Sequence, residues 1–521
     1  LVKNTLLKLF DQPLARLWCY GLLAMLGALV TVSSPSSAQD APQKVELLQC
    51  DALDGGMFNG QSIVKLLGNV VFKQGDALLY CDSAYQYKSV NKLEAFSNVR
   101  LKQGDTLSCF GDKLVYEGES RKTVLSGKVR LENKTTTLVT DLLNYDLSTR
   151  TATYTTGGVI TDKGSTIKSK KGRYEASTSV LYFRDSVEVT DRDSRIETDT
   201  LVYEIKPKRA IFVGPTRIFD SDGVLYAESG EYYLDSKLSN FSGRVSMETD
   251  KYFLSADQVR YDQLQQIGKA SGKVLMVSKT DNIRIHGAEA RYNKFTGITL
   301  VYGSPYMETP MDNDTLFLGA DTLISIERKA ENFRLLIAYY RVKLFKQDMQ
   351  GLADSLVYRF TDSTIHFYRN PVLWSKSNQL TSDSLYVQMA NQTIDKMYMT
   401  DRALMISEDT LGYYNQLAGR KMIAHFDSGK IDFVEVHGNG ESIYHALKED
   451  TVLMGLNKVQ CSDMRIQFYQ NELQAITFYV QPDAVFIPPK EIEPDETKLK
   501  GFDWKIQLRP RKEDITDVGT L

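Results

Sequence analysis

The chain has few of the residues that usually carry chemistry. Its 521 residues include five histidines and five cysteines. Apart from Cys19, near the N-terminus, the cysteines are Cys50, Cys81, Cys109 and Cys461. None of these forms a C-x-x-C pair, so neither a zinc ribbon nor a thioredoxin-like dithiol is expected. Four are also too few to staple a chain this long. The histidines are His286, His366, His425, His437 and His445, and the spacing of the last three does not make a compact metal-ligand pair. There is no G-x-S-x-G elbow, no H-E-x-x-H and no G-x-x-x-x-G-K-[ST] loop. Neither sign of charge dominates, with 63 Lys+Arg against 66 Asp+Glu, so the footprint of a nucleic-acid binder is missing. Beyond the first forty residues no apolar run is long enough for a membrane-crossing helix. The expectation is a protein that is not an enzyme, with no catalytic residue, no metal site and no cofactor.

Residues 1–38 have the form of a secretory signal peptide. Lys3, Lys8 and Arg16 precede an uncharged stretch, 17–32, and Ser36-Ser37-Ala38 places small residues at −3 and −1 of a cut before Gln39. Cys19 stands at the start of the apolar stretch, which is not where a lipoprotein carries its cysteine. Cleavage would move the formal charge from −3 to −5. The expected location is the periplasm, with association to the outer membrane as an option.

The strongest positive signal is a repeat. Tyr87, Tyr116, Tyr145, Tyr174, Tyr203, Tyr232 and Tyr261 follow one another at intervals of 29 residues, a period that marks stacked supersecondary units. About 13 residues after each tyrosine phase comes an alternating apolar pair: Val70/Phe72, Val99/Leu101, Val129/Leu131, Val187/Val189, Val245/Met247 and Val274/Met276. Such alternation predicts strands with one inward face. Turn-type residues precede these pairs, as in Gly68-Asn69, Ser97-Asn98 and Gly127-Lys128, and predict two or three short strands per unit. An acid recurs four residues before the tyrosine (Asp112, Asp141, Asp199, Glu228, Asp257) and reads as a turn cap at a strand entrance. By the same count Cys81 and Cys109 fall on opposite faces. Beyond Tyr261 the period loosens, but Asp-x-Leu returns at Asp321, Asp354, Asp383 and Asp409. The tail carries Pro488-Pro489, Pro494 and many charges, and is expected to be mostly disordered.

Units such as Leu67-Gly-Asn-Val-Val-Phe72, a strand ending in Tyr87, and Ser97-Asn-Val-Arg-Leu101 resemble the OstA/LptA family, whose domain also forms the N-terminal part of LptD. The stretches 414–421 and 438–444 are similar to long OstA-like members. The resemblance covers roughly residues 45–485 and implies an elongated, twisted β-jelly roll or β-solenoid. The expected organisation is a signal peptide at 1–38, OstA-like jelly rolls at 39–300 and 301–485, and the tail at 486–521. It further implies a non-enzymatic lipid-binding role in lipopolysaccharide transport and outer-membrane assembly. Implied partners are lipopolysaccharide or a related glycolipid, an LptD-type outer-membrane barrel, inner-membrane ABC exporter components and end-to-end copies of the chain. The candidate lipid groove consists of the twelve apolar residues paired above, with Arg100, Lys102 and Arg130 as contacts for sugars and phosphates. Two other classes remain open: a structural or adhesive surface solenoid, and a β-helix enzyme acting on polysaccharides.

Overall fold

In the computed structural model, residues 45–517 are described apart from interior interruptions of one to four residues. The expected signal peptide lies outside them. The chain is all-β: 36 strands pair antiparallel, as the period-2 alternation predicts. No helix among the described residues is long and apolar enough to cross a membrane.

Two compact units are distinguished, one within residues 12–250 and 257–266, the other within 251–256 and 267–521. In the first, consecutive strands such as Ala77–Tyr87, Lys92–Gln103, Leu107–Glu117 and Lys122–Asn133 pair along their whole length. Most periods of 29 residues are therefore one hairpin of two long strands, rather than the two or three short strands expected. The exception is the period over 151–175, which is broken into the short strands Thr151–Tyr154, Gly158–Asp162, Ser165–Ser169 and Lys171–Glu175. The predicted turns lie inside strands. Gly68-Asn69, Ser97-Asn98 and Gly127-Lys128 all take positive φ in mid-strand, and the pairing register slips there, as between Phe96 and Val99. Two successive left-handed residues make a bulge that bends the strand into two arms. Residues from both arms, Leu66, Leu114 and Leu125 on one side of the bend and Val70, Phe72 and Val99 on the other, share one core cluster. At Gly127 φ is +78° and a Cβ would sit 2.5 Å from an Asp112 oxygen, so only glycine fits without strain.

The recurring acids belong to these bends, not to strand entrances. Asp112, Asp141, Asp199 and Glu228 stand at mid-strand beside the neighbouring strand's bulge, and some acids at this position receive side-chain donors from it. Asp82 accepts from Asn98 Nδ2 at 2.7 Å, and Glu228 accepts from Arg244. In the second unit Asp321 accepts from Arg341 Nε at 2.8 Å and Asp383 from Arg402 Nε at 3.0 Å.

The period also has a backbone origin. Arg121, Arg150, Ser179, Lys208, Lys237 and Gln266 recur every 29 residues with φ between 53° and 60°, one at each hairpin connection. The amides of Leu147, Ala176, Ile205 and Gln263 donate to the carbonyls of Arg121, Arg150, Ser179 and Lys237, tying each connection to the next. The tyrosines do not stack on one another. In the register each alternates with a smaller residue of the intervening strand: Tyr145, Ala152, Tyr174, Leu181, Tyr203, Ala210, Tyr232. Tyr203, Tyr232 and Tyr261 are buried, whereas Tyr145 is exposed. Tyr87 keeps the count but not the row, because it opposes Lys92 while Tyr116 opposes Leu93. That slip corrects the reading of the cysteines. Cys81 and Cys109 lie in the same core cluster, on the inner face, and both are free thiols.

The second unit continues the bent-strand pattern, with bulges at Tyr340-Arg341, Arg369-Asn370, Asp401-Arg402 and Gly438-Asn439. Its tail departs from the expectation of disorder. After the strand Asp483–Ile487 the chain turns back, forms short helical turns at Pro494–Thr497, Ile506–Leu508 and Glu513–Thr516, and lies as a strap on the outer face of one arm. Composition misled here because the strap's backbone is held by side chains of the sheet. Gln416 Nε2 donates to the Thr497 carbonyl at 2.7 Å, and its Oε1 accepts from the Leu499 amide at 2.8 Å. Gln379 repeats this with the Asp503 carbonyl and the Lys505 amide, both at 2.7 Å. Arg509 Nε donates to Gln350 Oε1 at 2.6 Å.

Candidate lipid groove

Six of the predicted residues stand immediately past a bulge. Val70, Val99, Val129, Val187 and Val245 in the first unit, and Val274 in the second, are all buried. Small residues oppose several of them: Gly111 faces Val99, Thr140 faces Val129 and Gly287 faces Val274. The other six lie two positions further along their strands, on the same inner face. Phe72, Val189, Met247 and Met276 are buried, while Leu101 and Leu131 are partly buried against the core.

In the first unit the register joins this second set into one unbroken row. It runs Phe72, Leu79, Leu101, Cys109, Leu131 and Leu138. It continues through Ile160, Ile167, Val189 and Ile196 to Ile218, Leu225 and Met247. No member is charged or strongly polar. Among the described residues of that unit no charged side chain is buried; the buried polar ones are threonines and serines, such as Thr140, Thr198 and Thr216. Their hydroxyls pair locally, Thr198 with Thr216 at 2.9 Å, so they can lie inside without a large penalty. The second unit has its own apolar row, Met276, Ile285, Met307, Leu318 and Leu344. It also buries an opposed charge pair, Glu327 and Arg334.

The two thiols on the inner face are held protonated by burial. Cys81 is pushed up to about 11 and Cys109 to about 12, so neither is a reactive nucleophile near neutral pH.

The basic residues singled out for headgroups lie elsewhere. Arg100 and Arg130 sit over the two sides of Phe110 at 5.6 and 4.8 Å, in an outward-facing row, and Arg130 pairs with Glu132 at 3.1 Å. Among the described residues no group of three His, Cys, Asp or Glu is arranged to hold a metal. His425 stacks on Phe433 and contacts Glu435 at 3.2 Å, His437 contacts Asp463 at 3.1 Å, and His445 is buried against Tyr413.

The sequence missed the row beneath the strap. The register aligns Gln350, Trp374, Gln379, Ile406, Gln416 and Ile443 across successive strands. The available signals were the spacing of 29 residues from Gln350 to Gln379 and the runs of apolar neighbours such as 403–406.

A family model for OstA-like proteins matches residues 42–199 and 191–257. No curated protein matches the chain. Among solved structures, similarity is found to LptH from Pseudomonas aeruginosa, described as the LptA-homologous periplasmic component of the conserved lipopolysaccharide transport device. The identity is 13%, with 20% of this chain and 79% of that one covered and a TM-score of 0.19. A likeness of that extent says nothing of what this chain binds. The similarity to OstA-like proteins is thus carried by residues 42–257 of this chain.

Proposed function

We propose that this chain is an exported, non-enzymatic lipid-binding protein of lipopolysaccharide-type transport and outer-membrane assembly. The observation that carries the reading is the uncharged inner row from Phe72 to Met247. A glycolipid's acyl chains cross water at a cost of about 0.8 kcal/mol per exposed CH₂, so a chain of about 12–14 carbons faces roughly 10 kcal/mol. A continuous apolar face offsets that cost along its length, while sugars and phosphates stay at the solvent edge. The OstA-like segments expected at 39–300 and 301–485 would each supply such a face in the periplasm. In this reading the chain hands glycolipid between inner-membrane ABC exporter components and an LptD-type barrel, with end-to-end copies extending the path. The full burial of Val70, Val99 and Val129 favours a second reading, a structural β-stack with a solid interior.

The test is photocrosslinking in cells, with a photoreactive residue at Phe72, Leu101 or Leu131 and control positions at Arg100 and Arg130. The transport reading expects glycolipid adducts at the first three and few at the controls. Labelling confined to the outward positions would leave the structural reading standing.

A further inference from the structure

We propose that the outer face of the second unit is a peptide-binding site that reads main chain, and that residues 491–517 are its built-in and exchangeable occupant. Three observations carry this. The first is the bonding pattern. Gln379 and Gln416 each present a carbonyl and an amide to a strap carbonyl and an amide two residues further on. That is the pairing a neighbouring β-strand would offer, so at these two sites the recognition is of backbone and not of a side chain. Arg509 adds a bond to the Lys376 carbonyl at 2.8 Å beside its bond to Gln350.

The second is an asymmetry of burial. Gln350, Gln379 and Gln416 are buried, as are Trp374 and Ile406 between them. Of the strap's described residues from 488 onward, only Pro510 and Ile515 are buried. The sheet residues are covered by the strap, whose own packing is confined to a few side chains: Phe502 and Trp504 against Tyr414 at 5.3 and 5.4 Å, with Pro510 and Ile515. A segment with few buried side chains belongs to the low-stability end of a fold and opens without global unfolding.

The third is spacing. Successive contacts recur every six strap residues: Thr497/Leu499, Asp503/Lys505, Arg509 and Ile515, the last against Gly319, where a Cβ would lie 3.0 Å from Ile515 Cγ2. Neighbouring strands are about 4.8 Å apart, so two strands span about 10 Å, while six extended residues reach about 20 Å. The helical turn at Ile506–Leu508 and the start of that at Glu513–Thr516 take up part of the difference. The strap therefore has slack, and one site can be released while its neighbours hold. Pro488-Pro489 separates it from the last strand.

The test keeps the full chain. A protease site is placed at 489–490, the chain is nicked, and a fluorescently labelled synthetic peptide of residues 491–517 is added. The labelled peptide should replace the nicked strap saturably under native conditions. The double variant Gln379→Leu, Gln416→Leu should release it about 10- to 100-fold faster. If that variant does not fold, a peptide N-methylated at the Leu499 and Lys505 amides should show the same weakening on the unaltered sheet. A nicked strap that leaves only when the whole unit unfolds would overturn the proposal, as would equal binding of the methylated and unmethylated peptides.

Discussion

Each unit has an apolar inner face of its own, and the two differ on the outer one. Between residues 45 and 250, no two chain neighbours among the described residues are both buried. Each strand there packs one side and wets the other, the ordinary state of an antiparallel sheet. In the second unit runs of neighbours are buried together: 317–320, 371–374, 378–380 and 403–406. Strands buried on both faces need a second layer, and there the layer is the strap. One fold thus supports two kinds of outer surface, and a single appended segment makes the difference.

The comparison is sharpest at matched outward positions. Ile406 is 0% exposed beneath the strap, whereas Val139, in an outward row of the first unit, is 48% exposed. Ile406→Ala should cost about 2–5 kcal/mol and Val139→Ala no more than about 0.5 kcal/mol, read from denaturant midpoints. Similar losses at both would erase the distinction. The inner faces, alike in the two units, make the converse prediction. Gly230→Val in the first unit would place a Cβ 2.4 Å from Phe241 Cδ1, and Gly351→Val in the second 2.5 Å from Leu373 Cδ2. Both should lose about 1–3 kcal/mol by overpacking, whatever covers the outside. A smaller effect is expected at the bends, where Arg341→Ala removes an exposed pair with Asp321 and should cost about 0.2–1 kcal/mol.

The smallest effect concerns acid. Burial holds the pKa of His445, in the second unit, below its ordinary value of 6.5. The unfolded chain then takes up the proton first, so the stability linked to this group is complete above pH 6.5 and is lost as the pH falls below it. The midpoint of the second unit should decline from pH 7 to pH 5, and His445→Gln should flatten that slope. An unchanged slope in the variant would assign the decline to other groups.

The legible part of the fold rests on local rules. Alternation around Val70/Phe72 and Val245/Met247 predicts the inner face, because side-chain direction in a strand has period two. The bends are visible as Gly-Asn and Gly-Lys pairs, but the same pairs also mark chain reversals. Left-handed residues serve both purposes, and only pairing partners tell a bend from a turn. The tyrosine count could not show that Tyr87 is out of row, since a longer hairpin tip between it and Tyr116 compensates for the offset. The strap was the least legible element. Its hold depends on glutamines more than eighty residues away, and no local composition rule reports on that.

The hairpin connections with left-handed residues at Arg121, Arg150, Ser179 and Lys208 also set how such a chain can change length. Because one period is a pair of strands, loss or duplication of 29 residues leaves every later strand with its original direction, facing and bend. Loss of a single strand reverses all of them at once. Growth by whole hairpins is therefore the step that selection can take without disturbing the strands downstream. Related chains should differ in length by multiples close to this unit, with odd-sized insertions confined to hairpin tips.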